Sequence, residues 1–409
     1  MAKIDRLHFL TSLLNLDVLN EIDRANGYNT YHPFLGVRSK LVPAFLRNNK
    51  SLLKIYIAII VFFYPFVGMA FTIRAIFDII WNKRINFHGG RAFLFASIAL
   101  PRVAKNAGLT IREDDVWLLL PWMNYTNKEC INLRSSFSLL SFIDAIHAYW
   151  DSIVVVYYVY RKKGCKFVLP TLLSIRWFLF NLAIRKLPLD TELFFANHKD
   201  SYAVLFKYLP NSRKCLIQHG TEIVLENPAH IGTDLYEYNK QYNFWSNKLP
   251  IRYNDIAVLY CFTKKERVAM STSVLNCSPE VNYVGYSLKQ FNENIDGKKA
   301  ILIVGFSSLY IERETELIKR FQGTGIRVYL KNHPTLQVSA YKEIQNSLDF
   351  ILLNGPIFPK VDVVFSYSST LALEYDALGV EVILYDGLPD IVLYETIDSV
   401  IKRIKKDSH

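Results

Sequence analysis

The sequence predicts an α/β protein of two domains, each with a parallel sheet covered by helices, preceded by a helical region that associates with a membrane. Short apolar runs alternate with helical patterns in two consecutive blocks, which the polar stretch Gln290–Lys298 separates. Such alternation is typical of a parallel sheet with helices on both faces. The uncharged apolar run Ile55–Ile73 precedes both blocks. We therefore expect a helical N-terminal region at residues 1–110 and Rossmann-like domains at 111–287 and 288–409.

Length and composition are those of a folded protein with anionic partners. The 409 residues are enough for two or three domains, and 51% hydrophobic with 21% charged residues excludes a disordered chain. The formal net charge of +11 suits phosphorylated substrates or anionic lipids. Nucleic acid is not expected as a partner, because the basic clusters are short and the aromatic residues lie within apolar runs.

The spacing of the cysteines and the absence of several short motifs argue against disulfide, metal and cofactor sites. The five cysteines are widely spaced and form no Cys-x-x-Cys pair, so neither a disulfide framework nor a zinc site is indicated. Cys215 and Cys261 fall in apolar strands and are expected to be reduced core residues of a cytosolic catalytic region. Because no dinucleotide fingerprint, P-loop or Asp-x-Asp metal motif occurs, we expect no metal and no cofactor.

The membrane-active segment is expected at residues 52–82, around Ile55–Ile73. As a helix, this run would be ~28 Å long, close to the hydrocarbon thickness of a bilayer. Pro65 and Gly68 predict a bend in its middle. Cations flank the run on both sides and give no orientation. A re-entrant or interface-lying hairpin is favoured slightly over a single span, and a buried pair of core helices is the third alternative.

The remaining elements follow from apolar runs and helical spacing. The first block has strand patterns at Val116–Leu120, Leu193–Ala196, Cys215–Ile217, Ala257–Phe262 and Val281–Val284. The second has them at Ala300–Val304, Arg327–Leu330, Phe350–Leu353, Val361–Phe365 and Val380–Leu384. Helical patterns occur at Ile4–Ile22, Ser138–Arg161, Phe167–Leu187, Glu312–Phe321, Ser339–Ser347 and Leu371–Leu378. The β-branched residues Ile153–Val159 also fit a strand.

Polar clusters follow three strands of the second block, and ligands bind at the carboxyl ends of strands in such sheets. A lysine and a histidine suit phosphate, and hydroxyls with backbone N–H groups at a helix start bind anions. Helix capping would explain one hydroxyl of the Ser-Ser-Thr run but not three. Glu374 could accept from ribose hydroxyls or be a solvated helix residue. The candidate nucleotide-binding residues are Lys331, His333, Pro334, Ser307, Ser308, Ser368, Ser369, Thr370 and Glu374.

The first block ends one strand in Gln218-His219-Gly220, and this places an imidazole at a strand end. His219 is a candidate general base and Glu222 a further one, because histidine titrates near neutral pH. A structural histidine at a tight turn is the alternative. The acidic run Glu113–Asp115 precedes the first strand of the block and is read as an exposed turn or a contributor of a base.

Together, Gln-His-Gly, Lys-x-His-Pro and Ser-x-Ser-Ser with a following glutamate resemble the bacterial surface and capsular polysaccharide transferases of the GT-B fold. The resemblance covers roughly residues 190–390. That group includes capsule sialyltransferases, Kdo transferases and teichoic-acid glycerophosphotransferases, which use cytidine-nucleotide donors. The apolar N-terminal element, length and basicity are also similar to those of a polysialic acid capsule protein. Capsule sialyltransferases usually carry an acidic-acidic-Gly motif, whereas here Val116 follows Glu113–Asp115.

The resemblance implies two Rossmann-like domains facing a cleft. It implies that His333, Ser368 and Ser369 hold the donor phosphate, that Glu374 lies near the ribose, and that His219 faces the reacting centre. The function it implies is glycosyl transfer from a CMP-activated acidic sugar, of the sialic acid or Kdo type, to a lipid-linked or glycan acceptor. The expected location is the cytoplasmic face of the bacterial inner membrane, with membrane lipids and capsule-assembly proteins as further partners. The alternatives are a CDP-alcohol phosphotransferase of the teichoic-acid type and a non-catalytic capsule-assembly protein.

Overall fold

The structure is a computed structural model, and the described part of the chain falls into two compact units, at residues 5–284 and 285–406. The described residues are 5–13, 50–82, 84, 87, 89–95, 100–123, 132–162, 168–169, 171–197, 201–210, 213–218, 252–286, 288, 291, 299–305, 311–332, 339–353, 357–367, 369–385 and 388–406.

The first unit contains a seven-stranded parallel sheet in the order β3-β2-β1-β4-β5-β6-β7. Its strands are β1 (Arg91–Phe95), β2 (Val116–Leu119), β3 (Leu133–Ser135), β4 (Glu192–Phe195), β5 (Arg213–Ile217), β6 (Ile256–Cys261) and β7 (Glu280–Tyr283). Its first six strands follow the order of the dinucleotide-binding Rossmann sheet, with the change of direction between β1 and β4.

The second unit contains a five-stranded parallel sheet in the order β10-β9-β8-β11-β12. Its strands are β8 (Ala300–Val304), β9 (Arg327–Lys331), β10 (Ile351–Leu353), β11 (Val363–Ser366) and β12 (Glu381–Leu384). The order again starts in the middle and reverses once, here between β8 and β11. The predicted fold class, α/β with two Rossmann-like domains, is confirmed by these two parallel sheets.

Helices connect the strands and cover the sheets. They are α1 (Lys50–Trp81), α2 (Leu100–Asn106), α3 (Phe142–Lys162), α4 (Ser174–Ile184), α5 (Ser201–Lys207), α6 (Lys264–Ser273), α7 (Ile311–Phe321), α8 (Ser339–Gln345), α9 (Thr370–Ala377) and α10 (Asp390–Lys406). A further helical segment occupies residues 5–13. The alternative of a strand at Ile153–Val159 is wrong, because these residues lie within α3.

Each sheet separates two apolar cores, as the alternation of side chains along a strand requires. In β1, Ala92 and Leu94 pack into the core that contains α3 and α4, while Phe93 packs into the opposite one. In β8, Ile301 and Ile303 face one core, and the other residues of the strand face the second. Both faces are therefore covered, which explains why these strands are continuous apolar runs.

The sheet of the first unit begins earlier in the chain than expected. Strand β1 is an interior strand of the sheet, paired with β2 and β4, yet it lies within the residues 1–110 that the sequence assigns to a helical region. Its five residues follow closely on the long apolar helix, so their pattern does not stand out from that helix. The units divide after Val284, three residues before the expected boundary at 287/288.

The apolar segment forms one continuous helix, α1, so the hairpin interpretation is wrong. Pro65 lies inside the helix, and the hydroxyl of Tyr149 on α3 donates to its carbonyl oxygen at 3.2 Å. At Gly68, a Cβ atom would lie 3.2 Å from the Tyr149 ring. Gly68 therefore permits the close approach of α1 to α3, rather than a reversal of the chain.

Candidate functional site

The strand order of the second unit brings the carboxyl ends of three strands to one edge of the sheet. Strand β8 pairs with β9 on one side, with Val304 opposite Lys331, and with β11 on the other, with Ile303 opposite Phe365. The carboxyl ends of these strands therefore lie side by side, and the direction of winding reverses between β8 and β11. Ligands of open α/β sheets bind at this position.

The structure describes part of the predicted set at this edge. Lys331 ends β9, Ser369 precedes α9, and Thr370 and Glu374 lie within α9. The other predicted residues lie outside the described residues, namely Ser307, Ser308, His333, Pro334, Ser368, His219 and Glu222.

Ser369 caps α9. Its backbone is extended (φ −136°, ψ 156°), and its hydroxyl accepts from the backbone N–H of Ala372 at 3.2 Å. The hydroxyl of Ser366 lies 3.0 Å from that of Ser369 and donates to the carbonyl of Tyr367 at 2.7 Å. Since Ser366 uses its proton on this carbonyl, Ser369 must donate to Ser366. Both hydroxyl protons are thus engaged within the protein, and an anion here would be bound by backbone N–H groups of the first helical turn.

Lys331 provides a partly buried cation at the same edge. Its Nζ donates to the carbonyl oxygen of Ile357 at 3.0 Å and lies 4.6 Å from the centroid of the Phe358 ring. Burial lowers the pKa of this ammonium group. The side chain is therefore directed toward the segment that follows β10, and the backbone carbonyl of Lys331 accepts from the N–H of Gly305 at 2.9 Å.

Glu374 has a partner that the sequence does not indicate. Its Oε1 accepts from the backbone N–H of Leu288 at 3.2 Å, and the side chain is buried. The solvated-residue interpretation is therefore wrong. The contact joins the segment before β8 to α9. Binding of ribose by this carboxylate remains a prediction.

A buried polar pair lies beneath the end of β8. The Tyr341 hydroxyl donates to the carboxylate of Glu314, and both side chains are fully buried. Burial, followed by the charge of Glu314, raises the pKa of Tyr341 far above its usual value. A Cβ atom on Gly305 would lie 2.8 Å from this hydroxyl, so glycine is required there for space. Glu314 was not predicted, although it shares the apolar stripe of α7 with Leu317 and Phe321.

In the first unit, Gln218 joins the ends of two strands. It follows β5, its Nε2 donates to Glu266 at 2.6 Å, and its Oε1 accepts from the Phe262 N–H and the Cys261 thiol, both at 3.2 Å. Burial raises the pKa of this thiol to about 11, so it remains a donor. Gln218 therefore fixes the chain immediately before His219. The Thr-x-x-Glu capping pattern that starts at Thr263 was the available signal for Glu266.

The acidic run before β2 lies at the opposite, amino edge of its sheet. Glu113 and Asp114 are exposed, as expected of a turn. Asp115 is fully buried, 3.5 Å from Arg91, and accepts from the backbone N–H of Arg112 at 2.7 Å. Burial raises the pKa of Asp115, and the two arginine contacts oppose that rise. These contacts support a structural role for the run.

Within the described residues, no group of three or more His, Cys, Asp and Glu side chains could hold a metal ion. In the described part of the chain, the groups suited to bind an anion are the backbone N–H groups at the start of α9 and the ammonium group of Lys331.

Some solved structures are similar to the chain at low sequence identity. No family model and no curated protein matches the chain. One similar solved structure is the pneumococcal O-GlcNAc transferase GtfA in complex with UDP and GlcNAc, at 13% identity and a TM-score of 0.29. Another is TarM, at 10% identity and a TM-score of 0.28. The matches cover 51% and 63% of this chain and 45% and 51% of those chains, so the chain spans about half their length. Similarity at this level does not assign a function.

Proposed function

We propose that this protein is a glycosyltransferase that takes a sugar from a nucleotide-activated donor, whose phosphate binds at the carboxyl edge of the second sheet. The observation that carries the proposal is the strand order, which brings the ends of β8, β9 and β11 together where the winding reverses. Two features support an anionic ligand at that edge. One is the first turn of α9, where backbone N–H groups at the helix N-terminus can donate to an anion. The other is the ammonium group of Lys331.

We propose a CMP-activated acidic sugar as the donor, on the resemblance of the motifs to capsule and surface polysaccharide transferases. We also assign to the donor the residues that follow these strands in the sequence, namely His333, Pro334, Ser307, Ser308 and Ser368. The proposed acceptor is a hydroxyl of a lipid-linked glycan or growing oligosaccharide.

In the proposed reaction, the bond between the sugar and the phosphate oxygen breaks, and a bond forms between the sugar and the acceptor oxygen. CMP leaves with the bonding electrons, and positive groups at the edge stabilise its charge. The acceptor proton passes to His219 or Glu222 as general base. Gln218 and Glu266 would position this base, because their hydrogen bonds fix the residue before it.

The test is incubation of the full chain with CMP-sialic acid, CMP-Kdo or CDP-glycerol and a glycan acceptor, with product masses measured. We expect an acceptor heavier by one acidic sugar, and loss of that product in His333→Ala and His219→Ala variants that remain folded. An acceptor heavier by glycerol phosphate would replace glycosyl transfer by phosphotransfer. No product and no CMP binding would favour a non-catalytic protein.

A further inference from the structure

Helix α1 has two opposite apolar stripes, and the described part of the chain covers only one of them. The covered stripe recurs every three or four residues along the helix, at Ile57, Val61, Tyr64, Gly68, Thr72 and Ala75. It packs on α3 and the loop before α4. Tyr149 contacts Gly68, and the Tyr64 hydroxyl donates to the carbonyl of Leu172 at 3.3 Å. The helix is therefore attached to the α/β unit over most of its length.

The other stripe is exposed and apolar. Its residues follow the same helical spacing and include Ile55, Ile59, Phe62, Phe66, Ile73 and Phe77, each about half to two-thirds exposed. No charged residue occurs between Ile55 and Ile73. Trp81, at the end of the helix, is 79% exposed. Apolar surface of this extent on one helix marks a contact with a partner or a membrane.

The neighbouring helix extends this character and provides cations. The outer face of α3 exposes Ile143, Ile146, Trp150, Val154 and Tyr158. The two helices are antiparallel, because residues 64 and 68 of α1 meet residues 152 and 149 of α3. Consequently Lys54, at the start of α1, lies at the same end of the pair as Arg161 and Lys162, and all three are exposed. Cations beside an apolar face complement anionic lipid headgroups.

The covered stripe determines how a membrane could be met. Residues 57–75 extend over ~27 Å of helix, which is most of the hydrocarbon thickness. If α1 crossed a bilayer in this fold, α3 would have to enter with it. The inner side of α3 carries the ion pair of Arg6 and Asp151, at 2.6 Å. Because charged groups inside a bilayer are costly, this ion pair disfavours insertion of α3. The exposed stripe, in contrast, can enter a membrane while the unit remains in water.

We propose that α1 lies in the plane of a membrane that contains anionic lipid, with its exposed stripe in the interface and without crossing the bilayer. The outer face of α3 and the cations at the shared end of the two helices contribute to the same contact. The inference does not depend on the proposed glycosyl transfer, and its tests require no activity.

The first test is flotation of the full chain with phosphatidylcholine vesicles, with and without phosphatidylglycerol. We expect binding that increases with phosphatidylglycerol and falls at least tenfold in a Phe62→Asp/Phe66→Asp variant. Val268→Asp is the matched control, because Val268 is equally exposed (66%) on α6, and this variant should bind like the parent. Equal binding by the double variant, with an unchanged circular dichroism spectrum, would overturn the proposal, as would no binding by the parent.

The second test separates an in-plane helix from a span. Spin labels are attached one at a time at Ile55, Phe66 and Phe77 in a chain without native cysteines. These positions are 11 residues apart and share one face of the helix. In-plane insertion predicts the same depth at all three positions, from collision with oxygen and with a water-soluble nickel complex. A span predicts a deep central label and two shallow ones, with steps of ~16 Å along the helix. That second pattern would refute the in-plane arrangement.

Discussion

Replacement of Gly305 by alanine should disturb the edge of the second sheet through one identified clash. The new Cβ atom would lie 2.8 Å from the hydroxyl of Tyr341 and 3.4 Å from the carbonyl of Lys331. The hydroxyl cannot retreat freely, because it donates to the buried Glu314. Overpacking of a core and loss of a hydrogen bond to a buried group each cost roughly 1–3 kcal/mol. We therefore expect Gly305→Ala to lower the stability of the second unit by about 2 kcal/mol.

The assay is native-state hydrogen exchange of the peptide that contains β8, since it reports on this unit alone. A double-mutant cycle with Tyr341→Phe identifies the cause, because phenylalanine removes the hydroxyl that meets the new methyl group. The cost of Gly305→Ala should fall to less than about 1 kcal/mol in the Tyr341→Phe chain. Equal costs of Gly305→Ala in both backgrounds would refute the reasoning.

Three other predictions concern the described site residues. Ser369→Ala should cost about 1 kcal/mol of stability through loss of the α9 cap, whereas Ser369→Asp should retain most of it, as denaturation would show. Gln218→Leu and Glu266→Gln should lower kcat at unchanged KM if this pair positions the base; a change in KM alone would contradict that role. For Lys331, a bound phosphate should raise the pKa that burial lowers. Its contribution to affinity is then complete below the free-state pKa and is lost as pH rises through the bound-state pKa. In calorimetric titrations, Lys331→Arg should remove this loss of affinity at alkaline pH. An unchanged loss in that variant would show that Lys331 does not bind the phosphate.

The parts of the fold that sequence could predict are those with strong local patterns. Strand β8 was predicted with its observed bounds, Ala300–Val304, because five apolar residues stand between polar segments. The three-residue strand β3 was missed, since its side chains are only partly buried and carry no apolar run. Strand β1 was missed because it follows an apolar helix closely. The apolar run of α1 was recognised, but a hairpin was favoured over one helix. In the structure the helix continues through Pro65, whose carbonyl oxygen accepts from Tyr149 of α3.

The candidate site shows the same division. The placement of polar clusters at strand ends came from the alternation of elements, and the strand order then brought Lys331 and Ser369 to one edge. Their partners could not be predicted, because they are distant backbone groups. Glu374 accepts from Leu288, 86 positions earlier, and Lys331 donates to Ile357, 26 positions later. Local patterns carry no information on such pairs.

The central claim is that backbone N–H groups at the start of α9 bind the donor phosphate, and a proline tests it most directly. Thr370 is the first residue of α9, where proline fits the helix, and the extended backbone of Ser369 is compatible with a following proline. Thr370→Pro therefore removes one N–H group, while Thr370→Ala removes only the hydroxyl. In calorimetric titrations of the full chain with CMP, we predict at least tenfold weaker binding by Thr370→Pro and near-parental binding by Thr370→Ala. Parental affinity in the folded Thr370→Pro variant would contradict the account.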